Sequence, residues 1–237
     1  MFCFSDCFCM YVFSGNDSLR IIREIVILNN PNIDYMADKA GIINAMRRLY
    51  DKGYIAARDG NISFKPRNKD FFYITAGSVR KDELKSDEII KVNFNDNATW
   101  YDKNSMHRPS RELKMHYFLH KKSQNYVKDL YVVHAHPPNA IAFMGINPVN
   151  NELNNINKVF PELNVGIIGR NVPLFEAGSN TLATACLNHL CSPNTTVGLK
   201  QHGTLCIGSD LAKIEEDIET LEYHLDIYFK AISLKGF

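Results

Sequence analysis

The sequence predicts an α/β domain, and three observations carry that prediction. Segments with the apolar spacing of helices alternate along the chain with short runs rich in β-branched residues. Several of those runs come as hairpin-like pairs across small-residue turns. Two of them, Leu130–Val133 and Thr195–Leu199, run on to histidines, His134 at once and His202 three residues later. Interleaving of this kind fits neither an all-helical nor an all-strand domain.

A chain of 237 residues, 45% hydrophobic and 22% charged, can bury a substantial core and is expected to form one large domain. Its net charge of +1 is spread evenly along the chain, which makes no electrostatic case for nucleic acid or an anionic membrane surface as partner. No apolar run approaches the ~20 residues of a membrane span. The six cysteines are Cys3, Cys7, Cys9, Cys186, Cys191 and Cys206. Three crowd the N-terminus and the others form no Cys-x-x-Cys pair, so a reducing cytoplasm is expected rather than a disulfide framework.

Residues 1–33 read as a poorly structured extension and 34–237 as the domain. Met1 to Ser18 has the length of a secretory apolar region but lacks a basic start and carries Asp6. Leu19–Leu28 can add a short helix or strand, and Asn29–Asn32 a turn. From Asp34, the spacing of Met36, Ala40, Ile43, Met46 and Leu49 predicts a helix that stops at Gly53. Gly60-Asn61 then turns into a strand ending near Lys65, with Asp70–Thr75 as its partner. Thr75-Ala76-Gly77-Ser78 is a second turn whose bare backbone can approach an anion. Ile89–Phe94 and Ala98–Tyr101 read as strands. Pro109 and Ser110 announce a helix, with Ser110 as N-cap and Leu113, Tyr117 and Phe118 inward. Glu112, in its first turn, reads locally as a surface carboxylate favoured by the helix dipole.

After the first histidine run come a helix from Asn139, an Asn-rich stretch at 147–158, and a strand at Leu163–Ile168. An edge segment at Val172–Phe175 follows, and Gly178-Ser179-Asn180 precedes a helix to about Leu190. The strand at Thr195–Lys200 ends in Gln201-His202-Gly203, Thr204–Ile207 pairs with or continues it, and Asp210 caps a final helix to about Ser233.

His134 and His136 lie two residues apart on a strand, so both point to one face, about 6.6–6.8 Å apart along the chain. Pro137-Pro138 then ends the ladder. Such a pair can converge on one metal ion; the alternative is one core and one surface histidine. His202 repeats the arrangement, and three imidazoles leave a fourth position open on a tetrahedral zinc.

Five pieces then occur in one order: Asp59-Gly60-Asn61-Ile62-Ser63, Ile74-Thr75-Ala76-Gly77-Ser78, Arg108-Pro109-Ser110-Arg111-Glu112, His134-Ala135-His136-Pro137 and Gln201-His202-Gly203. In these the chain resembles the class II aldolase/adducin family, which includes L-fuculose-1-phosphate aldolase and L-ribulose-5-phosphate 4-epimerase. The resemblance implies a three-layer α/β/α fold around a mainly antiparallel sheet, assembled as a C4 homotetramer with active sites between subunits. It implies zinc, or another divalent metal, on His134, His136 and His202, with Glu112 as the catalytic acid/base. It places Gly60, Asn61, Thr75, Gly77 and Ser110 at the phosphate of a sugar-phosphate substrate, and Arg111 beside them either binds the anion itself or points away. The implied reaction is aldol cleavage through a metal-stabilised enediolate. A sister reaction on the same metal (4-epimerisation, dehydration or decarboxylation of a sugar-acid phosphate) is the alternative, and a non-catalytic adducin-like module the third reading.

The chain departs from the family pattern in three places. Arg111 stands where a second serine is usual, Gly77-Ser78 inverts the common order, and the epimerase's acidic and aromatic segment has no counterpart in 147–158. For the aldolase's tyrosine, Tyr223 and Tyr228 are the candidates.

Overall fold

The structure, a computed structural model, describes residues 31–94, 101–103, 105–123, 128–146 and 152–234. The expectations for Cys3, Cys7 and Cys9, for Leu19–Leu28, and for most of the strand at 98–101 lie outside those residues. The chain divides into two compact units, Met1–Asp38 and Lys39–Phe237, and the sheet and the site both belong to the second.

Helix α1 spans Pro31–Asp51, three residues more at its start than the apolar spacing predicts. A proline costs nothing at a first helical position, because that N–H has no partner within the helix anyway. At the other end Gly53 adopts φ 73° and closes the helix as expected. Ile42, Ala45, Met46 and Leu49 form its buried stripe.

Strands β1 (Asn61–Lys65), β2 (Phe71–Thr75) and β3 (Ile89–Asn93) follow. Helix α2 (Leu113–Lys122) leads to β4 (Leu130–Ala135). Beyond it lie α3 (Pro138–Ile146), the short α4 (Ile156–Val159), α5 (Asn180–His189), β5 (Thr196–Leu199), β6 (Gly203–Gly208) and α6 (Leu211–Leu234). The strands form one six-stranded sheet in the order β3-β2-β1-β4-β6-β5, and each adjacent pair is antiparallel.

Strand alternation sorts the core. Val132 and Leu205 pack with Met115 and Leu119 of α2 and with Leu182, Ala183 and Cys186 of α5. Farther along, Phe72, Ile74, Ile90 and Val92 meet Leu113 and Tyr117 of α2. A separate cluster joins Ala140, Phe143 and Met144 of α3 to Leu221 and Leu225 of α6. Helices α1 and α6 are tied by Arg48, which donates to both carboxylate oxygens of Glu215 at 2.6 and 2.7 Å. Among the described residues no helix is long and apolar enough to cross a membrane.

Two local expectations change. The α2 helix begins at Leu113, because the Ser110 hydroxyl accepts the Glu112 N–H at 3.2 Å and so closes a turn before the helix. Leu163–Ile168 forms no strand; Ile168 and Val172 make only single parallel bridges to β5. Gly166 interrupts that run and Gly169 follows it. Asp210 caps α6 as expected, its Oδ1 accepting from the Ala212 and Lys213 N–H groups, and Ser179 Oγ caps α5 by accepting from Leu182 N–H.

Candidate metal centre

The three histidines come from two adjacent strands. His134 lies in β4, and His136 one step past its end, where Pro137-Pro138 stops the ladder. His202 sits in the tight turn between β5 and β6, beside Gln201 at φ 55°. Because β6 pairs directly with β4, the turn delivers His202 to the β4 terminus. Gly203 makes that approach possible: a Cβ there would lie 2.2 Å from the Ala135 carbonyl oxygen and 2.9 Å from His136 Cδ2. One ligating atom from each histidine lies within 4.8 Å of the others, and the Nε2 atoms of His134 and His136 are 2.9 Å apart.

The electrostatics favour neutral imidazoles. Burial pushes His134 down to about 3, helped by His202, and His136 down to about 4, helped by His134; burial also lowers His202. His134 Nδ1 lies 2.9 Å from the Thr204 carbonyl oxygen, which can only accept, so the ring proton sits on Nδ1 and the Nε2 lone pair faces its neighbours. A hydrogen bond that fixes the distal ring nitrogen in this way is how metal-binding histidines are oriented.

Glu112 completes the cluster. It is buried, with Oε2 3.0 Å from His134 Nε2 and Oε1 3.4 Å from His202 Nε2. Oε1 is buried without a hydrogen-bond partner among the described residues. Three convergent imidazoles and a carboxylate oxygen with nothing to accept from make a donor set that fits a divalent cation. Asp59 stands at the rim, Oδ2 3.7 Å from His136 Nδ1.

A cleft of about 210 Å³ opens on this cluster. Of the residues expected at the substrate phosphate, Gly60, Asn61, Gly77, Ser110 and Arg111 line it. Thr75 does not; it is fully buried, and its hydroxyl accepts the Ile62 N–H at 3.3 Å. Gly60 holds φ 68°, and a Cβ there would meet Ile55 Cγ2 at 2.6 Å. Gly77 donates its N–H to the Arg108 carbonyl at 2.9 Å, so what it gives the cleft is room. Ser110 accepts from Glu112 N–H, which leaves its own hydroxyl proton for a ligand. Arg111 is exposed at the rim, 3.7 Å from Glu176. Neither candidate tyrosine is part of the cleft: Tyr223 is exposed, and Tyr228 stacks edge-on against Phe143.

Sequence reasoning missed Lys81. It lines the cleft yet is 1% exposed; its backbone N–H donates to Ala57 O at 2.9 Å and its ammonium to Ala76 O. It thereby ties the loop before Gly60 to the loop before Gly77. Burial lowers it to about 8.

Comparison with known proteins points to one family. The family model for the Class II Aldolase and Adducin N-terminal domain matches residues 40–229. An L-fuculose phosphate aldolase of Methanocaldococcus jannaschii is 27% identical over 187 residues, covering 78% of this chain and 92% of the relative. A methylthioribulose-1-phosphate dehydratase of Sulfurihydrogenibium sp. is 23% identical over 217 residues, covering 85% and 95% respectively. A sugar-phosphate aldolase from Thermotoga maritima superposes with a TM-score of 0.68 at 22% identity, covering 84% of this chain and 97% of that one, and so shares the fold.

Proposed function

Because this chain belongs to the class II aldolase and adducin family, we propose that it is a metal-dependent carbon–carbon lyase that cleaves a phosphorylated sugar, as an L-fuculose phosphate aldolase does. One observation carries the reading: three neutral imidazoles and the buried Glu112 carboxylate converge at the floor of a cleft whose walls hold Gly60, Gly77 and Ser110. His134, His136 and His202 would hold the cation, for which zinc is our choice. When bound, it supplies Lewis-acid stabilisation of the negative charge that aldol cleavage develops on the substrate oxygens.

The chain's own residues do the rest. Glu112 Oε1, with no donor engaged, is placed to accept a proton from a substrate hydroxyl and return it to the carbon left by bond breaking. The Ser110 hydroxyl, the Arg111 guanidinium and the Lys81 ammonium provide donors for a phosphate remote from the reacting carbons, which holds the reacting end in place. With this reading we carry over a C4 tetramer whose sites lie between subunits, and a reducing cytoplasm; Cys186, Cys191 and Cys206 are free.

The dehydratase relative favours a second reading, loss of water from a phosphorylated sugar in the same cleft. It needs the same base beside the same cation. A non-catalytic adducin-like role would leave the convergent donor set without a use.

The experiment is a panel of phosphorylated ketoses and sugar acids incubated with the purified, metal-loaded protein, with products read by mass. Cleavage into two fragments supports the lyase. Loss of 18 mass units selects the dehydratase instead. No conversion of any substrate, by protein that retains no metal after incubation with zinc, overturns both.

A further inference from the structure

Behind Glu112 the interior holds a file of polar side chains that the reaction above does not use. Asn61 and Ser63 lie two apart on β1 and share a face. Glu112, the residue just before α2, and His116 and His120 within it lie four apart and share a stripe. Two strand residues advance about 6.6 Å and four helix residues about 6.0 Å, so the rows mesh. Asn61 Nδ2 is 3.4 Å from Glu112 Oε2, and Asn61 Oδ1 contacts His116 Nε2. Ser63 Oγ is 2.6 Å from His116 Nδ1 and 2.6 Å from His120 Nε2. Ser63, His116 and His120 are fully buried.

Resting on the lyase reading, we propose that His120, Ser63 and His116 act through Asn61 as positioning residues: a one-way hydrogen-bond chain that holds the Glu112 carboxylate for proton transfer.

The direction of every link follows from its acceptor end. The Glu112 oxygen accepts, so Asn61 presents its amide N–H there; the reverse orientation would set two oxygens against each other. Asn61 Oδ1 then faces His116 and can only accept, which puts the His116 proton on Nε2. Burial lowers His116 well below its ordinary range, so the ring carries that one proton and Nδ1 is bare. Ser63 therefore donates its hydroxyl proton to His116 Nδ1 and must accept from His120 Nε2–H. Burial, with the Lys65 charge, pushes His120 down to about 3, and its Nδ1 has no partner among the described residues. The chain starts there.

Four donors thus point the same way and polarise one another toward the carboxylate. An amide does not pass a proton along without becoming an imidic acid, so Asn61 makes the chain a support, not a conduit. The support pins Oε2 and leaves Oε1 free. A core of this shape could have been filled by apolar side chains at no cost in stability. Two histidines and a serine at those positions instead point to orientation of Glu112 as their use.

Two measurements test this. In the wild-type protein, ring-nitrogen NMR should find both His116 and His120 as the neutral Nε2–H tautomer. An Nδ1–H tautomer or an imidazolium at His116 would overturn the chain whatever the enzyme's reaction. Ser63→Ala should keep its metal and its KM within about twofold while kcat falls on the order of 10–100-fold, and Ser63→Thr should restore kcat. Unchanged kcat in folded Ser63→Ala, or no recovery in Ser63→Thr, would also overturn it. If Ser63→Ala does not fold, His120→Gln, which keeps a donor for Ser63, should retain kcat within about threefold and His120→Leu should lose it; equal rates would count against the chain. Absence of turnover in the wild type refutes the lyase reading alone, because the tautomers are read without substrate.

Discussion

Asn61 and His134 sit opposite each other across the ladder between β1 and β4, and both reach the same oxygen of Glu112, at 3.4 and 3.0 Å. The carboxylate comes from the turn before α2, on the helical layer above the sheet. That register decides whether amide and imidazole meet on one carboxylate oxygen. A slip of one residue between β1 and β4 would leave Asn61 and His134 on opposite faces of the sheet.

His134→Ala should lower bound metal from about one ion per chain to background and abolish turnover, because it removes one of three ligands. Glu112→Gln should keep the metal and lose roughly 10²–10⁴-fold in kcat, the usual worth of a general acid/base. Elemental analysis beside kinetics separates the two. Full activity in Glu112→Gln would remove that residue from its role.

Gly203→Ala should be costly. Its Cβ would fall 2.2 Å from the Ala135 carbonyl oxygen, so β4 and β6 must part at the point where His136 and His202 meet. We expect a loss of roughly 1–3 kcal/mol in urea unfolding, with weaker metal binding. Wild-type affinity in this variant would show that the ligands do not depend on that contact.

Acid stability should fall through His120. Its folded value is about 3 against 6.5 unperturbed, so between those limits the unfolded chain binds a proton the folded chain refuses. Stability then drops as pH drops, with a contribution approaching about 1.4 kcal/mol per pH unit midway. His120→Gln should flatten the acid limb of the unfolding free energy by that amount; an unchanged slope would mean the ring is already charged when folded.

Lys81 gives the same sign in an alkaline window. Its folded value of about 8 lies below the ordinary 10.5, so between the two the unfolded chain again binds more protons and stability rises with pH. Below pH 8 the buried ammonium carries its full desolvation cost. Relative to Lys81→Met, the wild type should gain stability on going from about pH 8 to 10, approaching about 1.4 kcal/mol per unit near the middle. Parallel curves for the two proteins would place that ammonium in solvent.

The candidate metal site was legible because each of its histidines declares itself locally. An apolar β-branched run brings His134 and His136 to a strand end, and Gln201-His202-Gly203 closes a second run. Glu112 was legible only through resemblance, since its local setting is that of any first-turn carboxylate. His116 and His120 had no local signal: their partner Ser63 is 53 and 57 residues away, and a helix with scattered polar residues reads as solvated. Lys81 stands within Arg80-Lys81-Asp82-Glu83, a charge run that looks like surface until the Ala57 and Ala76 carbonyls close over it. The helix start at Leu113 was missed for a similar reason. Ser110 suits a cap by type, but its hydroxyl closes a turn with Glu112 instead.

The sheet order also sets a timetable. β1 and β4 can pair once residue 135 has been made, and His136 then sets a second imidazole beside the first and the carboxylate, but the third imidazole arrives only when the β5–β6 hairpin docks on β4. During synthesis the nascent chain therefore carries an incomplete chelate beside the open hydrogen-bonding edge of β4 until residue 208 has emerged. The set of three imidazoles is therefore complete only when the last strand is in place.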